Sequence, residues 1–282
     1  MAKKERRIVF AIGLALLLLL FTFTDLQISM AVAKKPVWAR VLEVVGEIPV
    51  TTLTIAGCAM LLRFRTKKNL VLNVLAALGS GALFLLFSLM GGFMTCNYLT
   101  DNLGQISGVW IWVFALIMAA AGIWLTCLVP AENRSKALRY AATALLYCVL
   151  VIVIMNSLKT VWGRMRFREM TDPVSEFTRW YQIVPRGGFH NIYASFPSGH
   201  SMNSAGVILL MLLPPMIPAL RNREKLLHVC VYIWCVVVGI SQVFMGAHFA
   251  SDVTVGVLLS LGIFELLRTV IYRKEKTSRL AD

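Results

Sequence analysis

Leu70 to Thr95 reads LVLNVLAALGSGALFLLFSLMGGFMT, 26 residues without a charge. A helix needs about 20 predominantly apolar residues to cross the hydrocarbon core of a bilayer, so this stretch is long enough to span one. Seven further runs follow the same pattern: Ile8–Thr24, Ile48–Leu62, Ile106–Val129, Leu138–Leu158, Ser201–Leu220, Leu226–Gln242 and Asp252–Tyr272. Ile48–Leu62 is the shortest and is interrupted by Gly57. Composition agrees, since 58% of the 282 residues are hydrophobic and only 15% are charged, against roughly 25% charged in soluble domains. Mean hydropathy is +0.74. The expectation is an all-α, polytopic transmembrane helix bundle of about eight spans, divided into an N-terminal hairpin (1–68) and a six-helix core (69–282).

Twenty-eight basic against 14 acidic residues give a net charge of +14, and their positions explain the excess. Clusters fall at Lys3/Lys4/Arg6/Arg7, Arg63/Arg65/Lys67/Lys68, Arg134/Lys136/Arg139, Arg221/Arg223/Lys225 and Arg268/Arg273/Lys274/Lys276, every second connection if all eight runs span. Lysine and arginine collect on the cytoplasmic side, so both termini are expected there and the protein is expected to be multi-pass in the cell membrane. The charge is then a topology signal that also suits anionic headgroups, and nucleic-acid binding is not expected. The linker around Asp25 to Glu47, the Cys96 to Gln105 loop and the connections carrying the motifs below fall on the outer face. The first run has a rival reading. Lys3 to Arg7, the apolar Ile8–Phe23 and Ala31-Val32-Ala33 imitate the three parts of a secretory signal peptide. The apolar part is long and the Ala-Val-Ala lies well beyond it, which favours a retained anchor.

The six cysteines form no CxxC pair, and all but Cys96 sit inside apolar runs, as small core residues do. His190, His200, His228 and His248 show neither HExxH nor a Cys/His ligand spacing. No metal site and no cofactor are expected.

Three short stretches combine chemistry-bearing residues at the ends of apolar runs. In KTVWGRMR (159–166), Lys159 and Arg166 are seven apart; they are either interface anchors or a clamp in which an ammonium and a forked guanidinium neutralise phosphoryl oxygens. Arg164 and Arg168 are auxiliary candidates. In FPSGH (196–200), Pro and Gly flank a helix start whose free N–H groups favour an anion, and His200 stands at its mouth. In SQVFMGAHFASD (241–252), His248 and Asp252 are four apart and share a face of a helical turn. A carboxylate beside the imidazole would fix its tautomer and leave the other ring nitrogen free to attack phosphorus. The segment from Phe167 to Ser195 is too polar to span, and Trp180, Tyr181 and Tyr193 suit an interface.

In order and spacing these stretches resemble the type 2 phosphatidic acid phosphatase (PAP2) family, over roughly Leu138 to Tyr272. The resemblance implies a metal-independent membrane phosphatase of lipid phosphates, acting on a phosphomonoester or a diphosphate such as phosphatidic acid, phosphatidylglycerol phosphate or an isoprenyl diphosphate. It implies His248 as the nucleophile forming a phosphohistidine and His200 as the general acid, with Ser198 and the Gly199 backbone as phosphate contacts beside Lys159, Arg166 and Arg164. Two positions depart from the family pattern. Arg-Pro is replaced by Arg166-Phe167, and Ser-Arg by Ser241-Gln242, which leaves Gln242 as an uncharged phosphate contact. The alternatives are a lipid phosphotransferase with the same intermediate and a non-catalytic lipid transporter or binding protein.

Overall fold

The computed structural model describes residues 3–65 and 69–272, without the side chains of 3–11. The side chains of Lys3, Lys4, Arg6 and Arg7, the residues Lys67, Lys68, Arg273, Lys274 and Lys276, and the expected domain boundary at residue 68 lie outside the described residues. Among the described residues the regular structure is helical throughout: α1 (Lys3–Val32), α2 (Val37–Val45), α3 (Ile48–Phe64), α4 (Leu70–Leu103), α5 (Val109–Cys127), α6 (Arg134–Trp162), α7 (Pro173–Glu176), α8 (Gly199–Ser204), α9 (Glu224–Phe244) and α10 (Ala250–Ile271).

Polarity is distributed inside out. On α4, Leu72, Leu75, Leu78, Leu85 and Phe93 are exposed while Ser80, Ser88 and Thr95 are buried. In water that arrangement would forfeit the hydrophobic term; in lipid the large apolar side chains meet the acyl chains and small residues let helices approach. Gly92 shows the close approach, since a Cβ there would overlap the Ile111 carbonyl of α5. The short span Ile48–Leu62 proves the most enclosed. Half of the residues in its most apolar stretch are buried, and α3 packs against α4, α5 and α6. Gly57, the interruption in its sequence, lies against Ala141 and Ala144 of α6.

Among the described residues seven helical segments are long and apolar enough to cross a membrane, where about eight runs were expected. The difference is Ser201–Leu220, which is not one long helix. It starts as the six residues of α8, tightens into a 3₁₀ segment over Ala205–Leu212, and ends in turns. It still runs the length of the bundle. His200 lies at one end, and at the other Asn133 Nδ2 donates to the Met216 carbonyl (3.1 Å) and Lys136 Nζ to the Pro215 carbonyl (2.9 Å), beside the start of α6. The C-terminus of α3 meets that same end, where Arg134 Nε donates to the Phe64 carbonyl at 2.8 Å.

Two connections expected as loops are helical. The linker around Asp25 to Glu47 shrinks to residues 33–36, because α1 continues to Val32 and α2 begins after Pro36. Most of Cys96–Gln105 is the last two turns of α4, which stops at Gly104 (φ 86°). Both extensions carry polar side chains to the end of the bundle that holds the motifs.

Candidate active site

The first motif sits where α6 ends. Gly163 closes the helix in the left-handed region (φ 62°), against the Val184 carbonyl, which a Cβ there would overlap. Lys159 lies in the last turn and is buried, and its Nζ would be 3.1 Å from a Cβ placed on Gly199, so the ammonium stands at the start of α8. Beyond Gly163 the chain is extended and tied to the segment before the second motif: Arg166 N–H donates to the Ile192 carbonyl and Ser195 N–H to the Arg164 carbonyl, both at 3.0 Å. Arg166 Nη2 donates to Asn191 Oδ1 at 2.9 Å.

Ser198 caps α8, its Oγ accepting from Ser201 N–H at 3.3 Å and donating to Ser201 Oγ at 2.9 Å. Its own N–H donates to the Asp252 carbonyl at 3.0 Å, which joins the second motif to the third. His200 follows on α8, 5% exposed. The third motif is a tight loop between α9 and α10, where the Gln242 carbonyl accepts from Ala247 N–H and His248 N–H at 3.2 and 3.3 Å.

His248 is buried, and its Nδ1 lies 2.6 Å from the Ser195 carbonyl. A carbonyl can only accept, so Nδ1 carries the proton and Nε2 keeps its lone pair. Burial holds the His248 pKa well below the usual histidine value, and the charges of Lys159 and Arg166 push it further the same way. The result is a neutral imidazole with a free Nε2 beside three cations, since Arg168 also acts on it. Burial, and next Arg168, likewise lower the pKa of Arg166.

Two residues make contacts other than those expected of them. Asp252 does not orient His248 directly. Its Oδ2 accepts from Ser195 Oγ at 2.6 Å and from Phe249 N–H at 3.0 Å, and its Oδ1 pairs with Arg164. The pull of a buried guanidinium and of the first turn of α10 takes the carboxylate away from the ring. It reaches His248 one step removed, by fixing the Ser195 residue whose carbonyl holds Nδ1. Arg164, expected at the phosphate, is fully buried and engaged through all three nitrogens: Nε to the Thr178 carbonyl (2.9 Å), Nη1 to Ser251 Oγ (2.9 Å) and Asp252, Nη2 to Asp25 (3.0 Å). Its plane lies 4.1 Å from the Phe249 ring centroid. It braces the site instead of lining it. Gln242 is also buried, its amide 3.4 Å from Ser241 Oγ.

Four residues went unread in the sequence. Asp25 of α1 accepts from Ser251 N–H at 3.0 Å as well as from Arg164. Glu43 of α2 receives Asn102 Nδ2 at 2.9 Å and Arg168 at 3.5 Å. Glu47, just before α3, has Oε1 at 3.1 Å from His200 Nδ1, ion-pair distance without hydrogen-bond alignment. Tyr98 of α4 donates to the same carboxylate at 3.3 Å. Each lies just beyond the end of an apolar run, so no ionisable residue inside a span marked it in the sequence.

Among the described residues no group of three or more His, Cys, Asp and Glu could hold a metal ion. The buried nitrogens at the site without hydrogen-bond partners are Arg166 Nε, Arg168 Nε and both ring nitrogens of His200. Leaving such groups unmet costs about 1–3 kcal/mol each; Arg168 Nε and His200 Nδ1 face the carboxylates of Glu169 and Glu47, and Arg166 Nε and His200 Nε2 are left to mark where a ligand's oxygens belong.

Residues 140–276 match the family model of the PAP2 superfamily. The chain is similar to the phosphatidylglycerophosphatase B of Bacillus subtilis, 40% identical over 81 residues that make up 28% of this chain and 40% of that protein. It is also similar to the lipid A 1-phosphatase of Rhizobium etli, 27% identical over 144 residues, 51% of this chain and 56% of that protein. The chain spans about half the length of these curated relatives. No solved structure gave a significant match. Lys159, Arg166, the Ser198–His200 turn, His248 and Asp252 all fall inside the segment that matches the PAP2 superfamily model.

Proposed function

We propose that this protein is an integral-membrane lipid phosphatase acting through a phosphohistidine. The observation that carries the reading is a neutral His248 under the charges of Lys159, Arg166 and Arg168, with unmet nitrogens on Arg166 and on His200 of the neighbouring α8. A tetrahedral dianion supplies the acceptors those donors lack. His248 Nε2 forms a bond to phosphorus as the bond to the leaving oxygen breaks, and His200 gives that oxygen a proton. Water then attacks the phosphohistidine, His200 takes its proton, the N–P bond breaks, and inorganic phosphate leaves. Lys159 and Arg166 hold the phosphoryl oxygens, with Arg168 across the nucleophile loop, where its N–H donates to the Gly246 carbonyl at 2.9 Å. Arg168 supplies charge that Gln242 cannot.

A lipid substrate is supported by a cavity of about 150 Å³ beside the site, lined by Val50, Phe87, Met90, Val151 and Met155 and reaching Glu47 and Tyr98. Its walls suit an acyl or prenyl chain, and its polar end lies next to His200. The two relatives' names concern lipid phosphates, one a phosphatidylglycerophosphate and one the 1-phosphate of lipid A. In this reading the site faces outward. The described basic residues Arg63, Arg134, Lys136 and Arg221 gather at the opposite end of the bundle, the pattern of a cytoplasmic face.

The test is phosphate release by the purified protein from phosphatidic acid, phosphatidylglycerol phosphate and an isoprenyl diphosphate, in a chelator. Turnover in the chelator is expected, since the charge of the phosphate is met by side chains. His248→Ala should abolish both turnover and acid-labile phosphoenzyme. Retained turnover in that variant would end the mechanism.

A further inference from the structure

We infer that Glu47 is the positioning residue of the general acid, its carboxylate holding the His200 ring through Nδ1 so that Nε2 delivers the proton. The inference rests on the phosphatase reading above. It adds a residue outside the 140–276 segment, so the family match does not supply it.

Glu47 Oε1 and His200 Nδ1 are 3.1 Å apart, with side chains 14% and 4% exposed. At that burial an imidazole facing a carboxylate is not an incidental surface pair. Tyr98 closes the arrangement from α4: its hydroxyl donates to the same Oε1 at 3.3 Å, and its ring meets the imidazole edge-on at 5.2 Å. Gly46 closes it from the end of α2, where any side chain would overlap His200 Nε2. Three consecutive elements of the first half of the chain thus grip the acid of the second half. The other charges facing the pair are Glu43 from α2, Lys159 from α6 and Arg166 from the loop after it.

The chemistry requires such a partner. His200 must be an imidazolium as the P–O bond breaks, with Nε2–H aimed at the departing oxygen. A carboxylate on Nδ1 stabilises that cation and fixes which nitrogen gives up its proton. When water attacks the phosphohistidine, the same hold presents Nε2 as the base that takes the water's proton.

The test compares kcat/KM of the full-length protein in detergent on phosphatidic acid, whose alkoxide needs a proton to leave, and on 4-nitrophenyl phosphate, whose phenolate does not; this ratio reports on the steps up to departure of the leaving group and excludes the hydrolysis both substrates share. Glu47→Gln keeps the size of the side chain and removes its charge. It should lower kcat/KM on phosphatidic acid by about 30- to 100-fold and on 4-nitrophenyl phosphate by less than about threefold, a fraction of a general acid's full effect. Activity retained on the aryl ester doubles as the control for folding. Combined with His200→Ala, Glu47→Gln should add nothing further, because it acts only through that ring. Glu47→Asp should recover part of the loss. Equal losses on both substrates, or losses that multiply in the double variant, overturn the inference. If His200→Ala lowers both substrates equally, the general-acid assignment falls and the inference with it. If His200→Ala discriminates and Glu47→Gln does not, the phosphatase reading stands and only the role of Glu47 is lost.

Discussion

At His248 the loss of water around the ring and the nearby charges of Lys159 and Arg166 act in one direction, holding the pKa well below the ordinary histidine value. The reactive lone pair is therefore present throughout the neutral range, and protonation limits attack only well below about pH 6.5. Removing one positive neighbour must move that limit upward. Arg166→Gln should shift the acid limb of the pH profile of kcat/KM to higher pH, though still below about 6.5 because burial remains the larger cause. A limb that stays in place contradicts the electrostatic account, whatever happens to the rate. Two other arginines separate bracing from binding. Arg164→Met leaves Asp25 and Asp252 buried without their counter-charge and should destabilise the protein by about 3–5 kcal/mol, read as a lowered Tm in detergent. Arg168, 21% exposed, should behave oppositely: Arg168→Gln is expected to leave Tm within about 2 °C and to raise KM for a lipid phosphate about tenfold.

The junction between α2 and α3 shows what a single element contributes and why it was hard to read. Glu43 and Glu47 are polar residues at the edge of an apolar run, and by polarity alone they belong to a linker. In the structure α2 turns Val37, Trp38 and Val41 outward and buries Glu43, so its acids face the site while its apolar residues face lipid. That inversion becomes legible only when the partners are known, and these are distant: Arg168 lies 125 residues from Glu43. The motifs on α6, α8 and α10 were legible because each is local, a cation or histidine at a fixed distance from a helix end. The Asp252 role was read too simply for the same reason. Its nearness to His248 in sequence suggested a direct contact, whereas Arg164, 88 residues away, competes for the carboxylate. Gly46 offers a test at this scale. Its backbone is right-handed helical (φ −58°, ψ −34°), but the methyl group of Gly46→Ala would overlap both His200 Nε2 and the Leu42 carbonyl, so it must displace the ring and strain the end of α2. A fall in kcat of about 100-fold on an alkyl phosphate is expected, together with a lowered Tm from the overlap with the Leu42 carbonyl. Wild-type turnover in that variant would mean that the ring does not work from its position against Gly46.

For the whole molecule, hydropathy revealed that the chain is a membrane bundle, because every backbone group in lipid must be satisfied within its own helix and long apolar runs follow directly. It overcounted the long helices by one, since Ser201–Leu220 is apolar enough to span but breaks into α-helical and 3₁₀ parts inside the protein. Sidedness is the prediction at this scale. In a variant with its six native cysteines replaced, Tyr181→Cys should react with an impermeant thiol reagent on intact cells and Asn222→Cys should not; the reverse pattern would invert the topology and the accessible lipid pool. The Asp25–Arg164–Asp252 cluster has a bearing on biogenesis. The chain is made from its N-terminus, so α1 enters the bilayer with Asp25 while its arginine is still 139 residues from being synthesised. The Ser251 amide that completes its shell comes 226 residues later. Until α10 arrives, the first helix is only provisionally seated. An interrupted chain would expose an unpaired acid to lipid, a defect that membrane quality control could detect, so a finished nucleophile loop and a settled first helix are achieved together.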